Sequence, residues 1–193
     1  MGGDTERAHV TFSEQREIGR RFADLDLLTL TGLTRCRAGR RLIMCVTTKN
    51  ERERGYWAER VEPLLGDDVE VRDEVSQQEK AELLAGAAAL LFPIQWPEPF
   101  GLVMTEAMAC GTPVIAWRNS SVPEVVADGQ TGVVVSSVEE MAAAVDRAGE
   151  LDPRVLRQRV QERFSAEAMV TSYERIYQRV LAGGHEAGRV AHI

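Results

Sequence analysis

Residues 88–117 read AALLFPIQWPEPFGLVMTEAMACGTPVIAW. It opens on a short apolar run, 88–92, of the length and composition of a buried strand. Pro93, Pro97 and Pro99 then punctuate a loop, since each proline pushes the residue before it toward an extended backbone. Residues 100–109 have helical composition, and Gly111 follows as a stop signal. Residues 113–117, PVIAW, form a second buried strand pattern. Strand, loop, helix and strand in that order make a crossover unit, which joins parallel neighbours.

The same alternation extends outward. Leu42–Val46 (LIMCV) is a continuous apolar run, as expected of a strand buried on both faces. Residues 50–64 are charged, with an apolar stripe at Tyr56, Trp57, Val61 and Leu64, and read as a helix ended near Pro63. Residues 69–71 suit a short strand. Ser76 with Glu79 three residues on is a capping box, opening a helix through Leu83 and Leu84. Turn residues at 128–132 precede a strand at 133–135, and two or three helices fill the chain from Ser137 to Leu181. The expected fold is therefore α/β: a Rossmann-like parallel sheet with helices on both faces, plus C-terminal helices. In such sheets ligands bind beyond the carboxyl ends of the strands, which points to the loop 93–99.

Three segments follow from this pattern. Residues 41–183 form the domain, 184–193 a flexible tail, and 1–40 an irregular segment of degraded character. The first 40 residues mix Thr, Arg and Leu with no clean period; only 25–30 suggests a strand or a helix turn. No internal repeat stands out.

At 193 residues the chain is long enough for one domain with a substantial core but too short for two full α/β domains. Its net charge of −7 argues against a general nucleic-acid binder, which needs a basic face. Cys36, Cys45 and Cys110 are odd in number and make no Cys-x-x-Cys pattern, so they read as reduced thiols in a cytoplasmic setting. Cys45 and Cys110 suit small buried groups. No zinc pattern, signal-peptide core or apolar run of membrane-spanning length occurs.

The chemistry concentrates between Glu98 and Glu106. Glu98 lies between two prolines, outside the helix, with Pro99 near the helix start, where a missing N–H costs little. The amides of Gly101, Leu102 and Val103 fall in the first turn without internal partners and favour an anion. Gly101 also lets a ligand approach the backbone. Eight residues at about 1.5 Å each set the two glutamates roughly 12 Å apart along a helix axis. Glycosidase acid and base pairs stand about 5 to 9.5 Å apart, so this spacing does not suit them. It suits two carboxylates gripping opposite ends of one ligand, with an anion between. By itself the pattern also fits plain helix capping.

EPFGLVMTEAMACGTPVIAW (98–117) followed by SVPEVVADGQTGVVV (121–135) resembles the C-terminal, donor-binding domain of retaining GT-B glycosyltransferases of family GT4, also called glycosyl transferases group 1. The resemblance covers 41 to about 181 and includes the family's Glu-x7-Glu motif as Glu98 and Glu106. It implies that the ancestral reaction moves a hexose from a nucleoside diphosphate sugar to an acceptor with retention, without an obligatory metal or other cofactor. Glu98, the catalytic-site candidate, would contact donor hydroxyls. Phe100, Gly101 and Leu102 would offer amides to the sugar and diphosphate, Val103 would lie beside the phosphates, and Glu106 would bind the ribose. Lys49 would neutralise the diphosphate, or is a solvated loop lysine. Arg20, in Gly19-Arg20, matches a family arginine loop, but the accompanying Lys-Gly is absent and Leu25-Asp26 stands near its place; a surface arginine is the other reading. Relatives usually carry a glycine where this chain has Asn119-Ser120-Ser121.

Other candidates have plainer readings. Trp117 and Trp96 flank the expected cleft, and Trp117 suits packing. Glu124 suits a helix-start charge, and His9, His185 and His192 have no assigned role. Phe164, Met169, Tyr173, Tyr177 and Val180 mark an amphipathic helix. By resemblance it crosses to an N-terminal acceptor domain, whose histidine belongs to the family's catalytic machinery. The expected partners are a nucleotide sugar and either such a domain on another chain or a second copy through this helix. The alternatives are a non-catalytic truncated fragment, a subunit of a split glycosyltransferase, or another GT-B enzyme such as a sugar epimerase or phosphorylase. The isolated chain is expected to bind donor weakly or not at all and to transfer little sugar.

Overall fold

The computed structural model describes residues 9–13, 41–46, 48, 50–94 and 97–182. Six strands form one parallel sheet: β1 His9–Ser13, β2 Leu42–Val46, β3 Val69–Arg72, β4 Ala89–Phe92, β5 Val114–Trp117 and β6 Gly132–Val135. Their order across the sheet is β3-β2-β1-β4-β5-β6. The direction of strand addition reverses between β1 and β4, which makes the carboxyl ends of those two strands the crevice where such sheets take ligands.

The central strand corrects the sequence reading. Within residues 1–40 only 25–30 suggested a strand or a helix turn, yet His9–Ser13 pairs with β2 from His9↔Leu42 to Ser13↔Val46, and with β4 at His9↔Ala89 and Val10↔Leu90. HVTFS has only two large apolar residues and alternates with polar ones, unlike the continuous apolar run typical of a central parallel strand. Backbone pairing on both sides offsets that weak composition. The sheet thus starts before residue 41. The suggested element at 25–30 lies outside the described residues.

The other strands keep to expectation. Along β2, Ile43 and Cys45 join one apolar cluster while Leu42, Met44 and Val46 join another. The period of two sends alternate residues to opposite faces, so a strand covered on both sides must be apolar throughout. The first cluster packs β2, β4 and β5 against the helices α2 (Gln77–Gly86), α3 (Leu102–Cys110) and α6 (Pro153–Arg163). The second packs the opposite face against α5 (Val138–Ala148) and Val61.

The helix expected over 50–64 is three segments. Asn50 caps α1 (Glu51–Tyr56) by accepting the Glu53 amide at 3.0 Å; a π turn, Trp57–Val61, and a 3₁₀ turn, Glu62–Leu64, follow. The widened turn precedes Pro63 and the tightened turn contains it, a residue with no N–H to donate. The capping box at Ser76 and Glu79 forms in both directions, at 3.2 and 2.8 Å. Past β5, a single turn, α4 (Val122–Val125), leads to β6. Ser137, Asp152 and Ser165 cap α5, α6 and α7 (Ala166–Leu181). Among the described residues no helix is long and apolar enough to cross a membrane.

Candidate functional site at the β4–α3 junction

The loop leaving β4 ends at Gly101, the N-cap of α3, with φ 73°. The helix therefore starts one residue beyond the expected first-turn position of Gly101. A Cβ there would stand 2.6 Å from Met104 Cε and 3.0 Å from Phe92 Cζ. Glycine is required by the left-handed backbone and by the close approach of the core, not only by room for a ligand. Phe92 ends β4 and Met104 lies in the first turn of α3, so the glycine couples strand end to helix start.

Glu98 lies outside the helix, as expected, and is half-buried. Its Oε1 accepts the Gly101 amide at 3.2 Å, so the first of the three anticipated anion donors is held by the glutamate itself. The Leu102 and Val103 amides remain the first-turn groups that a helix cannot satisfy internally. Leu102 is 64% exposed, whereas the Val103 side chain is buried; only its backbone can face an anion.

A second loop fixes the first. The Ser120 hydroxyl donates to the Glu98 carbonyl at 2.9 Å, and the Ser121 hydroxyl to the Phe100 carbonyl at 3.1 Å. Ser120 has φ 45°, a left-handed backbone, within the Asn119-Ser120-Ser121 stretch where the family resemblance implies a glycine. Phe100 turns its ring edge to Phe164, centroids 5.8 Å apart, tying the loop to the end of α6.

Glu106 lies in α3, and its Oε1 accepts from Lys80 Nζ of α2 at 2.8 Å. Lys80 is 8% exposed, while the Glu106 side chain keeps 35% of its surface. Sequence reasoning missed Lys80. The available signal was a lysine four residues before Leu84, on the core-facing side of its helix.

The helix ends as the sequence suggested: Gly111, φ 84°, returns its amide to Ala107 and Met108. Arg157 of α6 covers this end, donating to the Cys110 carbonyl at 2.9 Å. Burial pushes the Cys45 thiol up to about 11, and burial followed by the nearby Glu106 charge raises Cys110. Both stay protonated near neutrality; Cys45 is buried as expected, whereas Cys110 is only partly buried at the end of α3. Trp117 packs on the second apolar cluster, and Glu124 sits exposed in the first turn of α4. Arg20, Cys36, Lys49, Trp96, His185 and His192 lie outside the described residues. Among the described residues no group of three or more His, Cys, Asp or Glu could hold a metal ion.

Along α7, Met169, Val170, Tyr173, Tyr177, Val180 and Leu181 are exposed, and the Tyr173 and Tyr177 rings stack 6.3 Å apart. The amphipathic pattern at this end of the chain therefore does not serve the core, with the exception of Phe164.

A family profile described as Glycosyl transferases group 1 matches residues 43–166. The chain is 38% identical over 113 residues to N-acetyl-alpha-D-glucosaminyl L-malate synthase of Bacillus anthracis, covering 54% of this chain and 29% of that protein. It is 35% identical over 129 residues to MMP alpha-(1->4)-mannosyltransferase of Mycolicibacterium hassiacum, covering 61% and 31%. Sucrose-phosphate synthase from Thermosynechococcus elongatus superposes with a TM-score of 0.74 at 26% identity, over 93% of this chain and 47% of that one. Anabaena HepE, solved in complex with UDP-glucose, shares the fold with a TM-score of 0.67 at 19% identity, over 92% and 49%. The chain thus spans about a third of these curated relatives and about half of these solved structures.

Proposed function

The chain belongs to the glycosyl transferases group 1 family, and from that premise we propose that it is the donor-binding part of a retaining hexosyltransferase, taking a nucleoside diphosphate sugar at the β4–α3 junction. One observation carries the reading. The start of α3, with its outward amides, stands between Glu98 before the helix and Glu106 within it, at the carboxyl edge where strand order reverses.

In this reading the diphosphate lies against the Leu102 and Val103 amides, helped by the helix dipole. Glu98 is the catalytic-site residue. A carboxylate has about four acceptor sites, so Glu98 accepts from hexose hydroxyls while Oε1 keeps the Gly101 amide, which fixes its orientation. Glu106 accepts from the ribose hydroxyls. Phe100 contributes backbone to the sugar end. Lys49 and Arg20 supply positive charge to the diphosphate as it leaves the anomeric carbon. Support for Lys49 comes from its sequence neighbours, since Val46 closes β2 and Asn50 caps α1. The reading calls for no resident metal or other cofactor, and the thiol pattern supports a cytoplasmic setting.

HepE, the relative solved with UDP-glucose, supports a nucleotide-sugar ligand by its shared fold. The exposed face of α7 supports a further partner: an acceptor-binding domain, with a second copy of this chain as the alternative occupant. Titrated by themselves, these 193 residues should bind donor weakly and turn over little. Titration with UDP-, GDP- and ADP-sugars, using Glu106→Ala as control, tests the site. Binding of one donor that the variant weakens supports it, and equal behaviour of the two proteins contradicts it. Turnover by the chain alone at ordinary enzymatic rates would overturn the division of labour.

A further inference from the structure

We propose that Lys80 is a positioning residue that holds the Glu106 carboxylate ready for the ribose hydroxyls, an inference that rests on the donor-site reading above. Helix α2 is polar along most of its length, and Lys80 and Leu84 are its buried residues. They stand four apart, on one face, so Lys80 occupies a position that core packing would give to an aliphatic residue. A buried ammonium is costly unless paired. Lys80 directs its Nζ across to α3, where Glu106 Oε1 receives it at 2.8 Å, 26 residues away in sequence.

The pair is asymmetric. Lys80 is 8% exposed, whereas the Glu106 side chain retains 35% of its surface. The cation is inside and the carboxylate faces out, so the carboxylate is the member that meets a ligand. A staple between two helices has no need of that asymmetry. The bond to Oε1 fixes the Glu106 rotamer before a ligand arrives. The acceptor sites that remain on the carboxylate are then pre-oriented for a vicinal diol. Rotamer freedom is removed during folding and not during binding, which favours affinity.

The distinguishing measurement compares ribose with a sugar lacking its hydroxyls. The full chain is titrated with UDP, GDP and ADP, and the nucleotide that binds is compared with its 2′,3′-dideoxy analogue. Lys80→Met should raise the Kd of the ribonucleotide roughly tenfold, in keeping with a lost charged hydrogen bond. The Kd of the dideoxy analogue should change by less than about twofold. Lys80→Met added to Glu106→Gln should cost nothing further. Should Lys80→Met fail to fold, Lys80→Gln replaces it under the same criteria. An unchanged ribonucleotide Kd, or equal losses for both nucleotides, overturns the positioning role and leaves a plain helix staple. The two readings fail differently. If Glu106→Gln removes the preference for ribose and Lys80→Met does not, the Lys80 role alone falls. If no nucleotide binds, or Glu106→Gln leaves the preference intact, the donor-site reading falls and takes this one with it.

Discussion

Ser120 and Glu98 are joined across two loops: the Ser120 hydroxyl donates to the Glu98 backbone carbonyl at 2.9 Å. Ser120 adopts φ 45° to do so. The left-handed backbone costs a non-glycine residue about 1–2 kcal/mol, and a hydrogen bond returns about 1 kcal/mol. Ser120→Gly relieves one and loses the other, so urea denaturation should show a net change of less than about 1 kcal/mol. Ser120→Ala loses the bond and keeps the backbone cost, so it should be the less stable variant by about 1 kcal/mol. The opposite ranking would contradict this account of the loop.

Gly101→Ala should destabilise the fold by about 1–3 kcal/mol, since both the left-handed backbone and the Phe92 ring oppose a Cβ. A loss well under 1 kcal/mol in denaturant melts would mean that the backbone at this cap relaxes freely.

Glu106→Ala should cost more stability than Glu106→Gln. The first leaves the Lys80 ammonium without the carboxylate it meets, whereas the second keeps an oxygen acceptor. Losing a partner of a fully buried pair costs about 3–5 kcal/mol. Glu106 is partly exposed, so solvent reduces the expected cost to about 1–3 kcal/mol. Thermal melts of the two variants decide the order. Equal melting temperatures would show that Lys80 does not depend on this carboxylate.

Alkaline pH should weaken the fold through Cys45. Its thiol is raised from 9.0 to about 11 by burial. Between those values the unfolded chain loses the proton while the folded chain keeps it, so stability falls as pH rises from 9 toward 11. Cys110, also raised, acts in the same direction. Cys45→Ala should flatten the decline without abolishing it. A slope identical to wild type would remove Cys45 as its source.

The sequence made the crossover at 88–117 legible because every signal agreed: two apolar runs, prolines in the loop, a glycine at each end of the helix. The Glu98 and Glu106 positions followed from that unit. Two features were out of reach for definite reasons. His9–Ser13 is held by backbone pairing on both sides, and its side-chain pattern lacks the apolar continuity that identified Leu42–Val46. The Lys80–Glu106 pair joins two helices 26 residues apart; the spacing to Leu84 could place Lys80 on the core-facing side, but its partner shows only once its neighbours in space are known. The left-handed Ser120 was half-visible, since the family resemblance implies a glycine somewhere in Asn119-Ser120-Ser121.

In the reading proposed above, the β4–α3 junction binds a nucleoside diphosphate sugar. Backbone amide resonances, followed by NMR while UDP-, GDP- and ADP-sugars are added in turn up to millimolar concentration, test it most directly. The account predicts that one donor moves the Gly101, Leu102 and Val103 amides together, with saturation at a Kd between roughly 10 μM and 1 mM, and that Glu106→Gln weakens the effect. Saturable shifts confined to other parts of the chain, or none with any of the three donors, would contradict it.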